Sequence, residues 1–127
     1  MKSLLITPLL LLALLASLPS SADLEKGSSA YAIGDYSTAF REFKKAAEEG
    51  NAEAQSALAG MYNHGLGVSY DPIYAYMWFS MAAFMDRNDK ARRMKDYMET
   101  RMSPEQLSEG CLTPETSTLE CIIYFTA

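Results

Sequence analysis

The sequence predicts an all-α chain, a short α/α solenoid of about six helices built from helix-loop-helix units. Three observations carry that prediction. Apolar side chains recur at helical spacing in successive segments. The segments are parted by glycines followed within a few residues by Asp, Asn or Ser, the pattern of one helix stopping and the next being capped. One pattern also returns: Asp35, Ala39, Phe43, Ala46 and Ala47 reappear 36 residues on as Asp71, Ala75, Phe79, Ala82 and Ala83. A period in the mid-thirties with two helices per unit is the sequence form of stacked helical repeats.

The N-terminus is expected to stand apart from this stack. Lys2 precedes an apolar run from Leu4 to Leu18, and Ser20-Ser21-Ala22 supplies small residues before a cut. Residues 1–22 therefore read as a secretory signal peptide cleaved after Ala22. A membrane anchor is the other reading, but the run falls short of the ~20 residues needed to span and contains Pro8. No Cys lies beside the cut to carry a lipid. The expectation is an exported chain, periplasmic or extracellular. Asp23 to Ala127 then leaves 105 residues with 10 basic and 16 acidic side chains, a net charge of −6. That balance argues against nucleic acid and anionic membrane surfaces, which call for a basic footprint. Residues 23–112 are expected to form one repeat domain. Residues 113–127, a Thr/Ser/Glu segment ending in CIIYF, are expected to be a poorly ordered tail. Cys111 and Cys121 are an even pair in an exported chain, open either to one disulfide closing a short loop or to two free thiols.

Within the domain the elements follow in order. Asp23 to Ile33 is a weak helix, interrupted by Gly27 and two serines. Gly34-Asp35 stops it and restarts the chain. Tyr36 to Glu49 is amphipathic, with Tyr36, Ala39, Phe40, Phe43, Ala46 and Ala47 on the apolar face. Gly50-Asn51 is the next stop and cap. Ala54, Leu58, Met61 and Tyr62 mark the inner face of a third helix, which ends at a corner carrying Gly65 and Gly67. Asp71-Pro72 restarts a fourth helix, Asp as N-cap and Pro in the first turn. Asn88 to Met102 follows with Ala91, Met94, Met98 and Met102 inward. Ser103-Pro104-Glu105-Gln106 has the form of a capping box opening a short helix to about Leu112.

Ala54-Gln55, Leu58, Met61-Tyr62, Gly65, Gly67-Val68, Asp71, Ala75, Trp78 and Ala82-Ala83 together resemble the Sel1-like repeat, a relative of the tetratricopeptide repeat. One full copy is similar to it. A partial copy with a shorter corner precedes, and Arg87 to Leu112 resembles the helices that close many bacterial Sel1-like chains of the exported type. Two positions depart: Ala59 stands where the family usually has glycine, and Asp86 replaces the usual glycine after the paired alanines. The resemblance implies a non-enzymatic protein-protein interaction module, a scaffold or adaptor. The alternatives are a self-assembling structural subunit of an envelope complex, completed as a homo-oligomer, and an envelope enzyme or accessory subunit. Some cysteine-rich Sel1-like proteins are linked to penicillin binding. They carry paired cysteines in each repeat, which this chain lacks, and no serine here has a lysine three residues on.

Little in the sequence suggests catalysis, a metal or a cofactor. His64 is the single histidine and ends a helix, where a polar side chain meets free carbonyls. No second histidine completes a ligand set or a nucleophile-base pair. Gly65-x-Gly67 lacks the third glycine and preceding strand of a dinucleotide fingerprint. Arg87, Lys90, Arg92, Arg93 and Lys95 are interleaved with Asp86, Asp89 and Asp96, the pattern of a solvated helix face or of a patch for an acidic partner. The most informative stretch is Ile73 to Met85, in which only Ser80 is polar. One face, Ala75, Phe79, Ala82 and Ala83, is the repeat's inner stripe. The other carries Tyr74, Trp78, Met81 and Met85. A helix apolar all round is either buried on both sides or offers a sticky face. On the second reading Tyr62, Tyr70, Tyr74, Tyr76 and Trp78 are the expected partner contacts.

Overall fold

The computed structural model describes residues 21–86 and 89–110, which form six α-helices with no strand among them. They are α1 (Ser21–Ala32), α2 (Tyr36–Glu48), α3 (Ala52–His64), α4 (Pro72–Asp86), α5 (Asp89–Glu99) and α6 (Pro104–Gly110). Residues 1–20 of the expected signal peptide, Arg87, Asn88, both cysteines and the tail 113–127 lie outside the described residues. No helix among the described residues is long and apolar enough to cross a membrane. The architecture is the expected all-α solenoid: α1 to α5 each pack on their neighbours in sequence, and α6 folds back onto α4.

The helix starts follow from local chemistry. Each cap side chain accepts from an N–H two or three residues on, which leaves fewer orphan donors in the first turn. Asp35 accepts from the Thr38 N–H at 3.1 Å, and Asn51 from that of Ala54 at 2.9 Å. Asp71 Oδ1 takes two bonds, from Ile73 N–H at 3.0 Å and Tyr74 N–H at 3.1 Å. Ser103 and Gln106 close a reciprocal capping box at 3.0 and 3.3 Å. The fifth helix is shorter than the sequence suggested. It ends at Glu99, and the Arg101 and Met102 N–H groups both fold back onto the Met98 carbonyl at 2.9 Å. Met102 nevertheless packs against the core, so its inward spacing survives the end of the helix.

The core runs along the facing sides of α2, α3 and α4. Ala39, Ala46, Ala47, Ala54, Leu58, Ala75 and Ala82 are almost wholly buried. Small side chains at these points let helix backbones approach closely, and Phe43 and Phe79 fill the space between them. Gly27 now has a reason. A Cβ there would lie 2.6 Å from Phe43 Cδ1, so the bare backbone of α1 is the seat of the Phe43 ring. The final turn of α2 is gripped from both sides. From α1, the buried Asp23 carboxylate meets Lys45 Nζ at 3.0 Å. From α3, the buried Gln55 donates its side-chain N–H to the Ala47 carbonyl at 3.2 Å. The proton of Lys45 is held more tightly than usual, chiefly by its hydrogen bond to Asp23.

Candidate interaction site

The corner Gly65–Asp71 positions the aromatic residues singled out in the sequence. Gly65 is left-handed, with φ +64°, and ends α3; the Leu66 N–H then turns back to the Met61 carbonyl at 3.0 Å. The Asp71 N–H donates to the Tyr62 carbonyl at 3.0 Å, which closes the corner. Asp71 also caps α4, so one residue ties the end of α3 to the start of α4. The Tyr62 and Tyr74 rings consequently stack, with centroids 5.2 Å apart and planes 23° from parallel. Phe40 of α2 meets Tyr62 edge-on at 5.5 Å. Tyr70 projects from the corner and is 64% exposed. Gly67, also left-handed at φ +69°, presses on the first turn of α2: a Cβ there would lie 2.2 Å from the Tyr36 carbonyl oxygen.

The five expected contact residues therefore divide. Tyr62 and Tyr74 are half-buried at the corner and Tyr70 is open. Trp78 and Tyr76 are only 3% and 2% exposed, and both belong to the core. Their removal from the contact surface has a physical cause: α4 packs against α3, α5 and α6, which cover Tyr76 and Trp78, although Phe84 near its end stays 57% exposed. Tyr76 donates its hydroxyl to Glu99 Oε1 at 2.8 Å, and Glu99 in turn meets Lys95 at 3.1 Å, joining α4 to α5. Burial first, and then the Glu99 carboxylate, push the Tyr76 phenol well above the ordinary tyrosine range.

The remaining candidates occupy structural roles. His64 Nδ1 lies 2.8 Å from the Gly60 carbonyl on the exposed end of α3. The basic stretch is laced internally: Arg92 pairs with Asp89, Arg93 donates to the Asp89 carbonyl at 3.2 Å, and Lys95 lies between Asp96 and Glu99. Among the described residues no cluster of His, Cys, Asp or Glu could hold a metal ion.

The Sel1 repeat model matches residues 24–51 and 52–83. Both segments match the Sel1 repeat. Together they cover a little under half of the chain. The first was expected as a partial copy, yet it matches in its own right over 28 residues against 32 for the second. The two repeats differ at their corners, which hold three residues (33–35) in the first and seven (65–71) in the second. Second helices are offset by 36 residues, whereas the glycines that close the first helices, Gly34 and Gly65, and the carbonyls of Ala30 and Met61 onto which the chain folds back, are offset by 31. Sel1 repeats are commonly protein-protein interaction modules and are generally not catalytic. No curated protein matches the chain.

The sequence reading missed Tyr31 and Ile33. They sit at the first corner, 43% and 82% exposed, and Tyr31 meets Tyr36 edge-on at 5.2 Å. Exposed apolar residues beside a corner glycine were the available signal. The weak helix before Gly34, interrupted by Gly27 and two serines, does not display them as a face.

Proposed function

We propose that this chain is an exported, non-enzymatic protein-interaction module that acts as a scaffold or adaptor. The observation that carries the reading is the corner of the second Sel1 repeat, where Tyr62 and Tyr74 form a stacked, half-buried platform beside the exposed Tyr70. Tyrosine suits such a surface, because it gives rigid amphipathic contact area at small conformational cost. Export rests on the leader-like residues 1–22, and the place of action is the periplasm or the extracellular space.

The test is crosslinking in the native envelope, with Tyr70→Ala and Tyr74→Ala beside the unaltered protein and circular dichroism as the check on fold. The reading expects a discrete captured protein that is lost in both variants. Identical capture by folded variants would remove the corner from the binding surface. N-terminal sequencing of the secreted protein tests export; the expected first residue is Asp23.

A further inference from the structure

The helices alternate in direction through short connections, so the chain has two edges. One edge gathers the end of α1, the start of α2, the end of α3, the start of α4 and the end of α5. The contacts that tie it together are Gly67 against Tyr36, the Asp71 N–H on the Tyr62 carbonyl, and the Tyr76 hydroxyl on Glu99. Six of the seven tyrosines among the described residues stand exposed or half-buried on this edge, from Tyr31 to Tyr97, and the seventh, Tyr76, is buried beneath it. Between them stand Ser37, Asn63, Gly65 and Ser69. Tyrosine interspersed with Ser, Gly and Asn is the composition of surfaces that bind protein by rigid aromatic contact and adaptable hydrogen bonds.

The charge on this edge is one-sided at both repeat corners. Residues 27–40 contain no Lys or Arg, and neither do residues 46–86. The corners contribute carboxylates: Asp35, which is exposed, and Asp71, which is half-buried. Arg101, at the α5 end of the edge, is already engaged. Its guanidinium lies 5.4 Å from the centre of the Tyr97 ring and donates to the Tyr97 hydroxyl at 2.9 Å. That pair shows within the molecule how a tyrosine here accommodates a cation.

We propose that the tyrosine edge docks an extended, Arg- or Lys-bearing segment of a partner protein, with rings of the Tyr70 kind taking the cationic side chains and Asp35 and Asp71 supplying the counter-charge. The proposal rests on the interaction-module reading and adds the chemistry of the partner. It predicts salt-sensitive binding that depends on charge at this edge rather than on the net charge of the chain.

The probe is a short fluorescein-labelled peptide alternating Arg and Gly, with Glu-Gly and Ser-Gly peptides as controls, titrated by anisotropy against the purified protein. The Arg peptide is expected to bind and the controls are not. Asp35→Asn with Asp71→Asn keeps both helix caps, since Asn caps as well as Asp, but removes two charges. It should weaken binding by about tenfold, as should Tyr70→Ala. Glu48→Gln with Glu49→Gln removes two charges from the opposite edge and should leave binding unchanged. Failure of the Arg peptide to bind, or equal weakening by the two charge-removing pairs, overturns the proposal. A crosslinked partner whose capture needs Tyr70 but survives Asp35→Asn with Asp71→Asn also overturns it, while leaving the interaction-module reading standing.

Discussion

At the scale of single residues, two glycines a sequence would rate alike behave differently. Gly65 and Gly67 both hold positive φ, so any side chain meets the left-handed penalty of about 1–2 kcal/mol. An added Cβ at Gly65 meets nothing closer than 3.4 Å, whereas at Gly67 it strikes the Tyr36 carbonyl. Gly65→Ala should therefore cost about 1–2 kcal/mol in urea unfolding and Gly67→Ala clearly more, since backbone must move. Gly27 is a third case, needed for the Phe43 ring rather than for φ. Alanine there gains about 1 kcal/mol of helix propensity but overpacks against the ring, and a net loss of about 1–2 kcal/mol is expected. Shortening the ring in the same chain, Gly27→Ala with Phe43→Leu, should recover part of that loss; a double-mutant cycle reads the coupling.

At the scale of elements, the joint between α4 and α5 turns on Tyr76. Its pKa is raised in the folded chain, so its contribution to stability is fully present below the ordinary tyrosine pKa near 10. It is lost as pH rises through the folded value, because the unfolded chain ionises first. The protein should lose stability above about pH 10, and Tyr76→Phe should flatten that alkaline limb while costing about 1 kcal/mol at neutral pH for the bond to Glu99. Asp35 works in the other direction. Its carboxylate is held below the usual range, first by the hydrogen bonds from Thr38, so the support it gives α2 is present above pH 4 and falls away in acid. Asp35→Asn should remove that acid dependence and keep the cap, as pH-resolved melting would show.

The same elements explain what was legible beforehand. Caps at Asp35, Asn51, Asp71 and Ser103 were readable because each is a contact between residues three apart, and sequence displays such spacing directly. The repeat was readable because Asp, Ala and Phe return at one offset. The burial of Tyr76 and Trp78 was not, since it depends on α5 and α6 closing over α4. Asp23–Lys45 and Gln55–Ala47 were hidden for the same reason: neither partner signals the other until α1 and α3 lie against α2.

At the scale of the whole molecule, the stack is finished differently on its two repeats. Thr38, Arg41 and Glu42 of α2 line an open groove of about 690 Å³ beside α1, together with Glu25, Lys26 and Ile33. Thirty-six residues on, the positions of Arg41 and Glu42 hold Met77 and Trp78, which are buried. A polar outer face is what keeps a terminal repeat from pairing with its neighbours in solution. Replacing it with the residues of the second repeat, Arg41→Met with Glu42→Trp, should produce concentration-dependent association in analytical ultracentrifugation, with the unaltered chain as the baseline. A melting temperature for the unaltered chain that rises with concentration would instead show that copies already pair.

Trp78 is the only tryptophan in the chain and lies in the core. The protein therefore carries its own optical reporter. Excited at the red edge of the absorption band, it should emit at short wavelength, resist quenching by iodide, and shift to the red only when the helices around α4 separate. A ligand seated on the tyrosine edge would change emission from the open rings while leaving that tryptophan signal nearly unmoved. The two colours of one spectrum would then distinguish occupancy of the surface from disturbance of the fold.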